Sequence, residues 1–168
     1  MASLNDDLQQ LETAMSRFFQ AMKRPQRWAR VLQRANLQLD RPAAHILQTL
    51  NSDEHPACRV QDLATQLGIE APSVTRKTQE LEQLGYLRRR PDPRDRRAVD
   101  LTITPRGRAI ARRLWAAQRE SITQVLEDWP AKDRQRFVEL FDRFSQDIAN
   151  EYDKSITKTE RTAHGRRR

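Results

Sequence analysis

The ten residues from Arg88 to Arg97 hold six arginines against two aspartates, a net charge of +4. Guanidinium groups at that density neutralise phosphates, and each planar fork can engage two acceptors at once. Arginine is also the side chain best suited to enter a narrow minor groove. Shortly before this run, steps of 100° per residue put Thr75, Arg76 and Gln79 on one side of a helix, with Ser73 at its N-terminal end. Val74, Leu81 and Leu84 fall on the other side. Arg76 leads this set because its fork matches O6 and N7 of guanine, and the free amides at the start of the helix favour phosphate. The plain alternative for both groups of residues is a solvated face and a solvated charge run.

Other chemistry has little footing. The single cysteine, Cys58, cannot form an internal disulfide or assemble a zinc site alone, and His45, His55 and His164 lack ligand spacing. None of the four glycines lies in a phosphate-cradling GxxxxGK[ST] or GxGxxG motif. With no nucleophile–base pairing and no carboxylate dyad in a recognisable frame, neither an enzyme nor a cofactor or metal is expected.

The 168 residues suit one compact domain, with two small units as the alternative. Lys and Arg number 31 against 23 Asp and Glu, and the resulting +8 favours a polyanionic partner such as nucleic acid or an anionic membrane surface. No stretch approaches the roughly 18 to 20 apolar residues of a bilayer span. The start MASLNDDLQQ lacks a basic and then apolar leader. A cytoplasmic protein without a membrane partner is therefore expected.

The elements that must position these groups are marked by periodicity and punctuation. Leu4, Leu8, Leu11, Met15, Phe18 and Met22 form a heptad stripe that Pro25 interrupts, and Trp28, Val31, Leu32 and Leu37 continue beyond it. Asp40 caps a short helix carrying Pro42, Ile46, Leu47 and Leu50. Val60, Leu63, Ala64 and Leu67 lead to Gly68 at a left-handed C-terminal position, and Pro72 opens a helix with Val74, Thr78, Leu81 and Leu84 inward, ending at Gly85. That pair is a helix-turn-helix. Gln61 and Glu70 stand as weak caps where Ser or Thr serves better. Val99, Leu101 and Ile103 alternate as a strand and pair across a charged tip with the segment after Tyr86. Thr104 and Pro105 start a helix through Ile110, Leu114, Trp115, Ile122, Val125 and Leu126. A last helix from about Ala131 to Tyr152 carries Phe137, Leu140, Phe141, Phe144 and Ile148 in one stripe.

The expected architecture is mainly α with a small β-hairpin wing. A winged helix-turn-helix over residues 39–104 sits between an N-terminal helical region, 1–38, and C-terminal helices, 105–152. Residues 153–168 hold six basic and two acidic residues and read as a disordered tail, inert or adding nonspecific phosphate contacts. Stripes at the two ends that lack a partner point to dimerisation, the alternative being one antiparallel pair within the chain.

The run Val60-Gln61-Asp62-Leu63-Ala64, Gly68-Ile69, Pro72-Ser73-Val74-Thr75-Arg76, Leu81-Glu82, Gly85-Tyr86-Leu87, Asp92-Pro93-Arg94-Asp95-Arg96-Arg97, Leu101-Thr102 and Thr104-Pro105-Arg106-Gly107 resembles the MarR family of bacterial winged-helix transcription regulators. The resemblance covers about residues 40 to 128. It implies that the helix bearing Ser73, Thr75 and Arg76 enters the major groove of double-stranded DNA. It further implies that Arg97 reaches the minor groove, beside Arg94 and Arg96, while Asp95 braces the wing. It implies a homodimer on an inverted-repeat operator, acting as a repressor released by a small aromatic or phenolic carboxylate. Trp28, Arg30, His45, Arg112 and Trp115 are the candidate lining of that pocket, each with a reading as core or surface beside it. Some relatives sense oxidants through a cysteine in the first helix. Cys58 lies instead in the loop before the helix-turn-helix and reads as a buried structural thiol. A redox regulator using Cys58 and a winged-helix protein-interaction module remain the alternatives.

Overall fold

The computed structural model of the protein describes residues 3–52, 57–91 and 99–165, with side chains through Glu151. Among the described residues, seven helices and one hairpin follow in the order α1 (Leu4–Lys23), α2 (Pro25–Arg34), α3 (Arg41–Thr49), α4 (Val60–Leu67), α5 (Ala71–Gln83), β1 (Leu87–Pro91), β2 (Val99–Ile103), α6 (Pro105–Leu126) and α7 (Ala131–Gly165). Residues 1–122 make one compact unit and residues 123–168 a second.

Local chemistry sets most boundaries. Ser3 opens α1 with a reciprocal capping box to Asp6. Arg24, ahead of Pro25, is forced to an extended φ of −60° and ψ of 125°, which separates α1 from α2. Asp40 Oδ1 accepts the Ala43 amide at 2.9 Å and starts α3. Helix α4 begins earlier than the sequence suggests: its cap is Arg59, whose side chain makes no capping bond, and Gln61 is already inside the helix. Glu70 is the cap of α5 as expected and also makes no capping bond, so Pro72, with its preset φ, carries the helix start. Gly68 adopts φ 62°, ψ 35° between the two helices.

The core of the first unit joins Ile46, Leu47, Leu63, Val74, Leu81, Leu101 and Leu114, all essentially without exposure. Two expected core residues stand outside it. Leu84 follows the last helical residue of α5 and is 43% exposed, and Val99, paired with Pro91 at the far end of the hairpin, is 44% exposed. On α6, Ile110 and Leu114 are buried, whereas Trp115, Ile122 and Val125 are exposed.

The hairpin is antiparallel, with Leu87 opposite Ile103 and Arg89 opposite Leu101. Cys58 adds a one-residue bridge on the other edge of β2, donating its amide to Leu101 O at 3.2 Å and accepting from the Leu101 amide at 2.9 Å. At the root of the hairpin, Thr104 Oγ1 donates to Gly85 O at 2.8 Å and accepts the Gly107 amide at 3.0 Å.

In the second unit, Trp129 meets Phe137 edge-on at 5.6 Å, and Phe137 stacks on Phe141 at 5.6 Å. The apolar stripe of α7 ends before Tyr152, but the backbone continues as helix to Gly165 where a disordered tail was expected. No proline or glycine interrupts the chain between those two residues, so loss of the stripe alone does not break the helix.

The contact of α6 with the hairpin root yields a stability prediction. A Cβ on Gly107 would lie 2.1 Å from Tyr86 O and 2.8 Å from Ile103 Cγ1, against backbone that cannot yield cheaply. Gly107→Ala is expected to cost about 3 kcal/mol. Gly68→Ala meets nothing within 4 Å and pays only for its positive φ, about 1 kcal/mol. Denaturant unfolding of the two variants checks that order.

Candidate nucleic-acid interface

Helix α5 is fixed by one edge. Val74, Thr78 and Leu81 are buried, and Thr78 satisfies its hydroxyl by donating to Thr75 O at 2.9 Å. With that edge inward, Arg76 and Gln79 are exposed on the opposite side, and among the described residues neither makes a hydrogen bond or ion pair. Ser73 and Thr75 are half-buried at the margin. The Thr75 hydroxyl donates back to Ala71 O at 2.9 Å, which leaves its oxygen as an acceptor. The four sequence-predicted residues of this helix therefore divide into two presented outward and two set lower.

The hairpin is anchored to the same helix. Arg89 lies on the inward side of β1 and pairs with Glu82 of α5 at 2.7 Å. Arg88 and Arg90 alternate to the other side and are exposed, and Arg88 donates to Thr102 Oγ1 at 3.2 Å. The hairpin thus adds Arg88 and Arg90, which the sequence reading had not singled out, to the cationic surface near α5. Arg94, Asp95, Arg96 and Arg97 lie outside the described residues.

Of the five pocket candidates, Trp28 and His45 meet. Their rings stand edge to face at 4.6 Å, between α2 and α3, with Trp28 buried and His45 half-buried. Arg30, Arg112 and Trp115 are exposed on α2 and α6. The cations that act on the Trp28–His45 pair are two others. Arg27 holds its guanidinium carbon 5.6 Å from the Trp28 ring centroid, and Arg41 stands in the same helix as His45. Burial, and then the like charges of Arg41 and Arg27, hold His45 below the usual imidazole range. On α6 it is Arg113, not Arg112, that makes long-range bonds. It donates to Ala35 O at 2.6 Å and Asn36 O at 3.0 Å, closing the carbonyl end of α2 where Asn36 has φ 50°. An arginine side chain reaching a distant helix end leaves no periodic trace in the sequence.

Cys58 is buried, its thiol donates to Arg59 O at 3.4 Å, and burial pushes its pKa up. Such a thiol is a poor nucleophile.

A helix-turn-helix carrying an arginine-rich hairpin, flanked by long helices, defines the class of winged-helix proteins. Residues 39–99 match the profile of the MarR family. An uncharacterised HTH-type transcriptional regulator of Bacillus subtilis, YxaD, is 28% identical over 108 residues, which are 64% of this chain and 74% of that protein. The transcriptional repressor MprA of Escherichia coli is 32% identical over 79 residues, 47% of this chain and 45% of its own. The structure of a MarR family protein from Bacillus stearothermophilus shares the fold, with a TM-score of 0.73 at 19% identity, over 88% of this chain and 99% of that one. The family match thus falls on the helix-turn-helix and the first strand of the hairpin, about a third of the chain.

The depressed His45 gives a pH prediction. Its folded form resists a proton that the unfolded chain accepts. Stability from this source is therefore present above the unfolded value of about 6.5 and is lost as pH falls below it. Melting the wild type and His45→Gln at about pH 7.5 and pH 5.5 should show a smaller acid loss in the variant. An equal loss would assign the effect to other groups.

Proposed function

We propose that this chain is a transcriptional regulator of the MarR kind, a dimeric repressor that reads an inverted-repeat DNA operator with α5 and releases it on binding a small aromatic carboxylate. The observation that carries the DNA reading is the outward edge of α5: Arg76 and Gln79 stand exposed, and the arginine-bearing β1 is pinned to the same helix through Glu82. A helix of 13 residues is about 20 Å long and fits the width of a major groove. Ser73 and Thr75 then serve as acceptors or phosphate contacts near the N-terminal end. For Arg94, Arg96 and Arg97, which lie outside the described residues, the proposed role is minor-groove contact with Asp95 as the brace of the wing, and the exposed Arg88 and Arg90 support it by carrying the same charge.

Dimerisation accounts for apolar surface that the chain leaves uncovered. Helix α1 buries none of its residues, and Leu4, Leu8, Leu11 and Phe18 are 41–76% exposed. On α7, Phe137, Leu140, Phe141, Phe144 and Ile148 are 36–51% exposed. Apolar stripes of this length on a monomer are an aggregation liability, which a second copy relieves. On this reading residues 1–38 and 105–152 are the dimerisation regions and 39–104 the reading head. Two heads held by one dimer would meet half-sites about one helical turn apart.

The Trp28–His45 contact, with Arg27 and Arg41 nearby, is the part of the candidate pocket best suited to an aromatic anion. Arg30, Arg112 and Trp115 would complete it from the surfaces of α2 and α6. A redox role for Cys58 gains no support from a buried thiol with a raised pKa. Among the described residues no helix is long and apolar enough to cross a membrane.

Arg76→Ala is expected to cost about 1–3 kcal/mol of operator binding and to relax base preference, and Arg97→Ala to lower affinity for all duplexes with a salt slope reduced by about one. Binding to selected and mixed-sequence duplexes at two salt concentrations checks both. If neither variant changes DNA affinity, the chain is better read as a protein-interaction module. Sedimentation at micromolar concentration should give a dimer.

A further inference from the structure

A lysine in the middle of a DNA-reading helix is ordinarily taken for a phosphate contact. Lys77 is not arranged as one. Its side chain keeps only 18% of its surface, and its Nζ lies 2.6 Å from Asp40 Oδ2 and 2.6 Å from Glu80 Oε2. Asp40 is at the same time the cap of α3, because its other oxygen accepts the Ala43 amide at 2.9 Å. One carboxylate therefore fixes the first turn of α3 with Oδ1 and the midpoint of α5 with Oδ2. The mutual pairing holds the ammonium firmly charged, since hydrogen bonds to Asp40 and Glu80 outweigh its desolvation.

The consequence is geometric. Helix α5 is held at its last turn by Glu82 with Arg89 and at its middle by Lys77 with Asp40. Between these points its core edge is apolar apart from Thr78, so burial fixes the depth of the helix more tightly than its rotation about its axis. Two polar ties to different elements fix that rotation, and rotation decides where Arg76, the residue preceding Lys77, presents its fork. A shift of about 1 Å is enough to lose a bidentate pair with a base edge. From the shared Asp40 carboxylate and the doubly paired ammonium, we infer that Lys77 is a positioning residue: paired with Asp40, it sets the register of α5 on DNA without touching DNA. This inference rests on α5 being the DNA-reading helix.

The test uses Asp40→Asn, which retains an N-cap oxygen while removing the charge, beside Lys77→Met and Lys77→Arg. Two probes are compared in the full-length chain. One is a duplex of about 30 base pairs, or three helical turns, selected from a random pool by the wild type. The other is a mixed-sequence duplex of the same length. Asp40→Asn and Lys77→Met should each lower the preference for the selected duplex about tenfold, a loss comparable to one mismatched base pair. Binding to mixed-sequence DNA and its salt slope should stay at wild-type values, and Lys77→Arg should recover most of the preference. The double variant should lose no more than either single one. If Lys77 instead holds a phosphate, Lys77→Met will weaken both duplexes and reduce the salt slope by about one, while Asp40→Asn will bind as well as wild type or better. If both variants merely melt earlier and keep their preference, the pair is structural and the inference is overturned. A wild type that prefers no duplex refutes the DNA reading itself, an outcome distinct from either.

Discussion

The burial of one edge of α5 is the constraint on which the rest depends. Val74, Thr78 and Leu81 have no exposed surface, so the opposite face must be the outward one, and the ties of Lys77 and Glu82 set the finer rotation within that limit. Helical geometry does the remainder, because residues displaced by about half a turn from a buried edge must meet solvent or a partner. Arg76 and Gln79 are exposed for the same reason that Val74 and Leu81 are not. Selectivity for a base edge requires a polar group delivered at fixed height and angle, and a close-packed interior provides a rigid base for that delivery.

Around this edge, the other elements act as braces. The root of the hairpin is fastened by the hydroxyl of Thr104, which joins the Gly85 carbonyl to the first turn of α6, and Gly107 lets that turn approach the backbone of Tyr86. Cys58 borders β2 on its free edge and pairs the amide and carbonyl of Leu101 there. Arg113 ties α6 to the end of α2, and Arg34 of α2 donates in turn to Ser121 of α6 at 2.9 Å. These contacts give α2 and α6 a polar connection.

Much of this was legible in the sequence because it is local. Gly68 and Pro72 mark the turn of the helix-turn-helix through φ preferences that act within one or two residues, and Asp40 and Thr104 announce helix starts by the same short-range chemistry. Alternation of Leu101 and Ile103 gave the strand, and the stripes of α1 and α7 were visible by period. What escaped was long-range or depended on where an element runs out of core. Lys77 and Asp40 are far apart in the chain, as are Arg113 and Asn36, and no spacing rule connects them. Leu84 and Val99 fit their periodic patterns yet sit past the reach of the core. Trp28 and His45, grouped by residue type, stand in ring contact, whereas Arg27 and Arg41, the cations that act on them, carry no periodic mark in the sequence. The backbone of helix α7 continues beyond its apolar stripe to Gly165, an extension that hydrophobic period alone does not mark.

The most direct test is a footprint of the arginines. The chain is treated with a guanidine-reactive dicarbonyl, alone and bound to its selected duplex, and modification is read residue by residue by mass spectrometry. Protection of Arg76, Arg88 and Arg90 by the duplex, with Arg136 and Arg143 of α7 as reactive as before, is the predicted outcome. Full reactivity of Arg76 in a saturated complex would contradict the account, because the outward edge of α5 would then lie away from the DNA.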